Sequence, residues 1–234
     1  MRESLSLFLV GGGGVFLIAA HLERMRRSGA LLSEAYGKKC FDLSLSREQI
    51  ERRVGSIVAA ADNGSSKECV YRVRMLLGST GDLEIQATPE PVKAQTGSAN
   101  PVLVLDTQAT DTDSVFVACK TTHRDIYNDA VARISKDMPA STQVLLYNRR
   151  GQITEGNIAN VAVSVRDNDG KLQLLTPPTS AGLLAGTMRA HLLETGAIME
   201  GTVTVEQFRE AARNKWPIFC MNSVRGLYPV DVYL

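Results

Sequence analysis

From residue 102 to residue 221, short apolar runs and helix-period stretches follow one another without a regular strand–helix–strand repeat, and this mixture constrains the fold more than any other feature. It predicts strands over 102–106, 114–119, 142–147, 159–165, 171–175 and 217–221, and helices over 125–136, 187–195 and 205–213. A doubly wound parallel sheet needs a crossover helix between successive strands, whereas several of these runs are joined by short turns such as Arg149-Arg150-Gly151. The expected class is α+β.

The first hundred residues read as a separate block. Leu5 to Val10, the four glycines Gly11 to Gly14 and Val15 to Ala19 have the pattern of a hairpin. The apolar stretch does not read as a cleaved signal, because Glu3 offsets Arg2, glycines interrupt it, and Glu23, Arg24, Arg26 and Arg27 follow directly. It also falls short of the roughly 20 residues of a membrane span, and its glycines match no dinucleotide-binding spacing. A helix is expected over His21 to Leu32, with Leu22, Met25, Ala30 and Leu31 as its apolar stripe. Ser46 and Gln49 have capping-box spacing for a second helix, with Ile50, Val54, Ile57 and Val58 as its apolar face and Asn63-Gly64 as its end. Strands are expected over 69–77 and 83–87, split by Gly78 to Asp82. Residues 88–101, with three prolines, form the best linker, so the expected domains are 1–94 and 95–234.

Composition narrows the function. The 234 residues are 44% hydrophobic and 22% charged, as in an ordinary globular chain. A net charge of +1 excludes nucleic-acid binding that depends on bulk charge, so any anion site is local. Cys40, Cys69, Cys119 and Cys220 form no CxxC pair; Cys119 and Cys220 sit in apolar runs and read as core residues of a reduced, cytoplasmic protein. His21, His123 and His191 are isolated, so no metal site is expected and structural histidines are the default. No Ser-His-Asp or Cys-His pairing stands out.

Five segments carry candidate chemistry. Lys120 ends the run Val115 to Cys119; a lysine delivered by a buried strand is either desolvated, with a lowered pKa and a nucleophilic amine, or a strand-end lysine whose ammonium reaches water. Arg24 can hold a phosphate through paired hydrogen bonds, or belong to a solvated basic face with Arg26 and Arg27. Glu155, in a loop between two strands, is either a water-exposed carboxylate or, in a pyridine cofactor site, the group that keeps the ring nitrogen protonated. Gly186 permits close backbone approach, and the N–H groups of Thr187 and Met188 can form an anion cup; the alternative is a plain helix start capped by Thr187. Ser223, in Asn222-Ser223-Val224-Arg225-Gly226, adds a hydroxyl and further amides, or marks an ordinary turn.

Taken in order, ESL (3–5), HLERM (21–25), KTTHRDIYNDA (120–130), LLYNRRGQITEGNIAN (145–160), LLTPPTSAGLLAGTMR (174–189) and NSVRGLYPV (222–230) resemble the fold-type IV pyridoxal phosphate enzymes. That group holds branched-chain and D-amino-acid aminotransferases, (R)-selective amine transaminases and 4-amino-4-deoxychorismate lyase. The resemblance implies a small N-terminal α+β domain and a C-terminal pseudo-barrel α/β domain, with pyridoxal 5'-phosphate as cofactor and a homodimeric assembly. It implies Lys120 as Schiff-base lysine and proton shuttle, and Glu155 on the pyridine nitrogen. Arg24, the Thr187 and Met188 amides, and Ser223 would take the phosphate. Leu184 would lie against the ring, and Asn160 would support the glutamate loop.

Within the group, KTTHRDIYNDA and NSVRGLYPV look most like the lyase, which would release pyruvate and 4-aminobenzoate. A transaminase of the same fold shares every residue named so far, and a non-catalytic relative is the reading from another class. Arg74 and Arg225 are candidates to pair with a substrate carboxylate. Two departures stand out. Members usually carry a further strand and loop before the ESL-like segment, and pocket walls or dimer contacts would be missing if that piece were absent. Aminotransferases commonly place a tyrosine five residues after the lysine, where this chain has Asp125, with Tyr127 two further on; the sequence leaves open which of them approaches the cofactor.

Overall fold

A computed structural model describes residues 2–9, 15–37, 39–62, 69–91, 100–134 and 137–234. The chain divides into two compact units, Met1–Gly97 with Cys119–His123, and Ser98–Ala118 with Arg124–Leu234.

In the first unit, β1 (Arg2–Leu9), β2 (Cys69–Gly78) and β3 (Leu83–Pro91) form an antiparallel sheet in that order. Strand β2 buries Tyr71, Val73 and Met75 and exposes Arg72 and Arg74, the period-2 alternation of a half-buried strand, and then buries Leu76 and Leu77 in succession. Helix α1 (Ile18–Ala35) contacts β1 and α2 (Arg47–Ala61), and α2 contacts β3. The capping box at Ser46 forms: Gln49 N–H donates to the Ser46 hydroxyl and Ser46 N–H to the Gln49 side chain. Ile50 and Val54 are buried beneath it, Ile57 and Val58 only half so. The buried stripe of α1 is His21, Leu22, Arg24, Met25, Ser28, Gly29 and Leu32, whereas Ala30 is exposed and Leu31 half-buried. At Gly29 the Phe41 carbonyl approaches so closely that a Cβ would sit 2.5 Å from its oxygen.

The second unit holds two sheets. One runs β12 (Asp231–Tyr233), β4 (Val102–Leu105), β5 (Gln143–Tyr147), β6 (Ile153–Gly156), parallel except for the antiparallel β5–β6 pair. The other runs β11 (Gly226–Pro229), β10 (Ile218–Asn222), β7 (Asn160–Arg166), β8 (Leu172–Thr176), β9 (Met199–Glu200), antiparallel except β8–β9. A single core draws on both sheets and on α6 (Val205–Arg213): Leu103, Leu145, Ile153, Val161, Val163, Phe208, Ile218 and Cys220 are all at most 4% exposed. Strand β7 is buried on both faces, since Ala162 packs instead with Leu192 of α5 (Thr187–Glu194), Ile198 and Met221. Helix α4 (Asp125–Ala132) places Ala130 against Val144 and Leu146 of β5.

The α+β class stands, with local corrections. Residues 15–19 are not a second hairpin strand: α1 begins at Ile18, and β1 pairs with the sequence-distant β2. The glycine turn Gly11 to Gly14 and the helix end Asn63-Gly64 lie outside the described residues. Of the expected linker, residues 88–91 belong to β3 and 92–99 lie outside the described residues. The expected strand 114–119 is a one-turn helix, α3 (Val115–Ala118). There the Ser114 hydroxyl accepts from Phe116 N–H and the Ser114 carbonyl from Val117 N–H, so local bonds replace a ladder. Glu155 is not in a loop but inside β6, and α4 ends at Ala132 rather than at residue 136. Among the described residues no helix is long and apolar enough to cross a membrane.

Candidate active site

In the first unit, the turns of α1 bring His21 and Arg24 onto one buried face, at 0% and 5% exposure. Burial pushes His21 down to about 2, and the nearby positive charges of Arg24 and Lys120 push in the same direction. A neutral imidazole therefore lies within the field of two cations. The segment that carries Lys120 is tied down locally. The Cys119 thiol donates to the Ser28 carbonyl of α1 at 3.8 Å, and the Thr121 hydroxyl accepts from His123 N–H at 3.2 Å. Lys120 itself is half-buried and follows α3, not a strand. Arg24 does not lie on a solvated basic face: Arg26 and Arg27 are exposed, while Arg24 turns inward.

In the second unit, β6 holds Glu155 at 5% exposure, where a carboxylate persists only with donors around it. Three are in place: Tyr127 O–H at 2.7 Å and Leu184 N–H at 3.1 Å donate to Oε1, and Asn160 Nδ2 donates to Oε2 at 3.2 Å. Asn160 also donates to the Leu184 carbonyl at 2.9 Å, so one amide ties β7 to both the carboxylate and the Leu184 backbone. Donation to a carboxylate favours its ionised form. Tyr127 is raised well above 10, first by burial and then by Glu155, which keeps its phenol a donor. Between the two candidates near residue 125, the partner of the glutamate is Tyr127; Asp125 is exposed in the first turn of α4.

Gly186 is the N-cap of α5, and Thr187 is its first helical residue rather than its cap. No side chain of the N-cap takes the first-turn N–H groups, which is the arrangement that leaves a helix start able to bind an anion. Thr187 is buried and Met188 half-buried. A Cβ on Gly186 would meet the Asn160 Oδ1 at 2.0 Å, so the glycine lets the α5 start close onto the amide that holds Glu155. Ser223 lies in the turn after β10, half-buried. The neighbouring amides of Val224 and Arg225 donate to Asn222 Oδ1 at 3.0 and 2.9 Å, so two of the amides expected for an anion serve the turn.

The substrate candidates are exposed. Arg74 lies on the face of β2 opposite Val73 and Met75, and Arg225 stacks over the Tyr228 ring at 5.2 Å. Among the described residues no group of His, Cys, Asp and Glu could hold a metal ion. Sequence reasoning underrated His21, whose place three residues before Arg24 on one helix face was the available signal, and it missed Arg124, which donates to the Asn157 carbonyl and lies 4.7 Å over the Tyr127 ring.

The sequence profile of amino-transferase class IV matches residues 5–233. The chain belongs to the class IV aminotransferase family. Among its relatives, a Schizosaccharomyces pombe protein with the provisional name aminodeoxychorismate lyase is 32% identical over 216 residues, 91% of this chain and 82% of that protein. The aminodeoxychorismate lyase of Saccharomyces cerevisiae is 30% identical over 185 residues, 60% of this chain and 46% of that protein. Among solved structures, this class IV chain superposes on a Mesorhizobium loti protein provisionally named an amino-acid aminotransferase with a TM-score of 0.75, at 26% identity and covering 99% of both chains.

Proposed function

We propose that this chain is a cytoplasmic, homodimeric pyridoxal-phosphate-dependent lyase that converts 4-amino-4-deoxychorismate to 4-aminobenzoate and pyruvate. The observation that carries the cofactor reading is Glu155, a buried carboxylate held by three donors. A core has no need of such a group, and a pyridine nitrogen does. The second support is Arg24, buried on the same face of α1 as His21, which burial and the charges of Arg24 and Lys120 keep neutral. The lyase reading over other reactions of the family rests on the names of the two fungal relatives.

The residues fit the cofactor in kind. Arg24, the Thr187 and Met188 amides and Ser223 would hold its phosphate, Leu184 would lie against its ring, and Glu155 would keep its ring nitrogen protonated. When bound, pyridoxal phosphate supplies an electron sink for the bond-breaking step. Lys120 would be the amine that holds the cofactor and, when freed, the base that takes the proton from the substrate carbon bearing nitrogen. Loss of that proton and departure of the enolpyruvyl group, which gains a proton to become pyruvate, would leave an aromatic amine. Arg74 and Arg225 are the basic groups proposed for the substrate carboxylates.

The test is release of 4-aminobenzoate and pyruvate from 4-amino-4-deoxychorismate by cofactor-loaded protein, with Lys120→Ala as control. Equal amounts of both products, lost in the variant, are expected. Protein that holds the cofactor yet releases neither is a transaminase, the reading favoured by the Mesorhizobium loti likeness. Protein that fails to hold the cofactor is a non-catalytic relative.

A further inference from the structure

Helix α4 is amphipathic enough to be explained by packing alone, since Ala130 seals against β5. Its first turn does something packing does not require. Tyr127 is carried inward and spends its hydroxyl on a carboxylate oxygen at 2.7 Å. Arg124, three residues earlier and so on the same face, lies over the phenol ring at 4.7 Å and anchors its own guanidinium on the Asn157 carbonyl. Asn157 is fixed in turn, because its side chain accepts from Val144 N–H at 3.0 Å and its own N–H donates to the Val144 carbonyl at 2.9 Å.

From this chain of contacts we infer that Arg124 and Tyr127 act as a clamp that sets the orientation of Glu155, with Tyr127 the positioning residue and Arg124 its brace. The inference rests on the reading of Glu155 as the partner of the cofactor's ring nitrogen. Besides the clamp, the Leu184 N–H holds Oε1 and the Asn160 amide holds Oε2. These come from the two ends of the short path from β7 to the Leu184 backbone. Tyr127 approaches from another element, α4, and adds a second donor, its side-chain hydroxyl, to Oε1. A phenol suits the task because it stays a donor while buried, whereas an aspartate or glutamate there would repel Glu155. Asp125, by contrast, is exposed in the first turn of α4, where an acid suits the helix start.

The experiment measures the dissociation constant of pyridoxal phosphate and the visible absorption maximum of the bound cofactor in wild type, Tyr127→Phe, Glu155→Ala and the double variant. Thermal unfolding of each, without cofactor, reports that the fold is retained. Tyr127→Phe keeps ring, stacking and packing and removes one hydrogen bond to a charged group. It is expected to weaken cofactor binding roughly tenfold and to move the absorption maximum. In the Glu155→Ala background the same change is expected to have no further effect, because its target is gone. An Arg124→Met variant is expected to shift the absorption maximum in the same direction as Tyr127→Phe and by less. If Tyr127→Phe matches wild type in both readouts, or if its loss adds in full to that of Glu155→Ala, the clamp is refuted while the reading of Glu155 stands. If Glu155→Ala alone binds the cofactor like wild type, the reading of Glu155 falls and the inference with it.

Discussion

The Cys119 thiol donates to the Ser28 carbonyl at 3.8 Å, tying the residue before Lys120 to the buried face of α1. One turn earlier on that face is Arg24, and one further turn earlier is His21. A weak S–H donor contributes little energy. Its value is geometric, because it holds the residue before Lys120 against the buried face of α1.

His21 makes stability depend on pH. Its folded pKa, about 2, lies below the ordinary 6.5, so the unfolded chain binds more protons below pH 6.5. The contribution is complete above pH 6.5 and is lost as pH falls toward the folded value. Denaturant unfolding at a series of pH values should show stability falling as pH drops below 6.5, by roughly 1 kcal/mol per pH unit from this group. His21→Asn should flatten that slope, and an unchanged slope would show that His21 titrates normally.

Gly186→Ala should damage the site through Asn160. The new Cβ would meet Asn160 Oδ1 at 2.0 Å, so either the amide or the start of α5 must shift. Overpacking of this kind costs about 1–3 kcal/mol, and the displaced amide is the one that donates to Glu155. Weaker cofactor binding together with a lowered unfolding midpoint is the expected outcome. Loss of stability with unchanged cofactor affinity would separate Asn160 from the site.

Cys220, fully buried in β10, is pushed up to about 12 by burial, so its thiol is protonated at ordinary pH. Iodoacetamide at pH 8 should leave Cys220 unmodified in the native protein and alkylate it in urea, as read by peptide mass spectrometry. Rapid native labelling would contradict the buried placement.

The larger elements of the second unit were legible because their patterns are long. β7 carries an unbroken buried run, and α6 opens on a capping box at Thr204 and Gln207. Glu155 was read as a loop residue because β6 has only four residues, all buried, two of them polar, and so shows neither alternation nor an apolar run. Val115 to Ala118 misled in the opposite way, since a short apolar run has no period with which to distinguish strand from helix, and Ser114 decided it. β1 was found but not its partner: local spacing suggested residues 15–19, while the register with β2 is a long-range fact. For the site, the motifs supplied Lys120, Arg24, Glu155 and the α5 start. Which of Asp125 and Tyr127 turns inward depends on how α4 lies on β5, and that follows from Ala130, Val144 and Leu146 together.

Everything proposed for the reaction depends on Lys120 being the residue to which the cofactor attaches. The direct measurement is borohydride reduction of the protein loaded with pyridoxal phosphate, followed by digestion and mass spectrometry. The cofactor should be fixed on the peptide that contains Lys120, with no labelled peptide in Lys120→Ala. Fixation on a different lysine, or undiminished labelling in the variant, would contradict it.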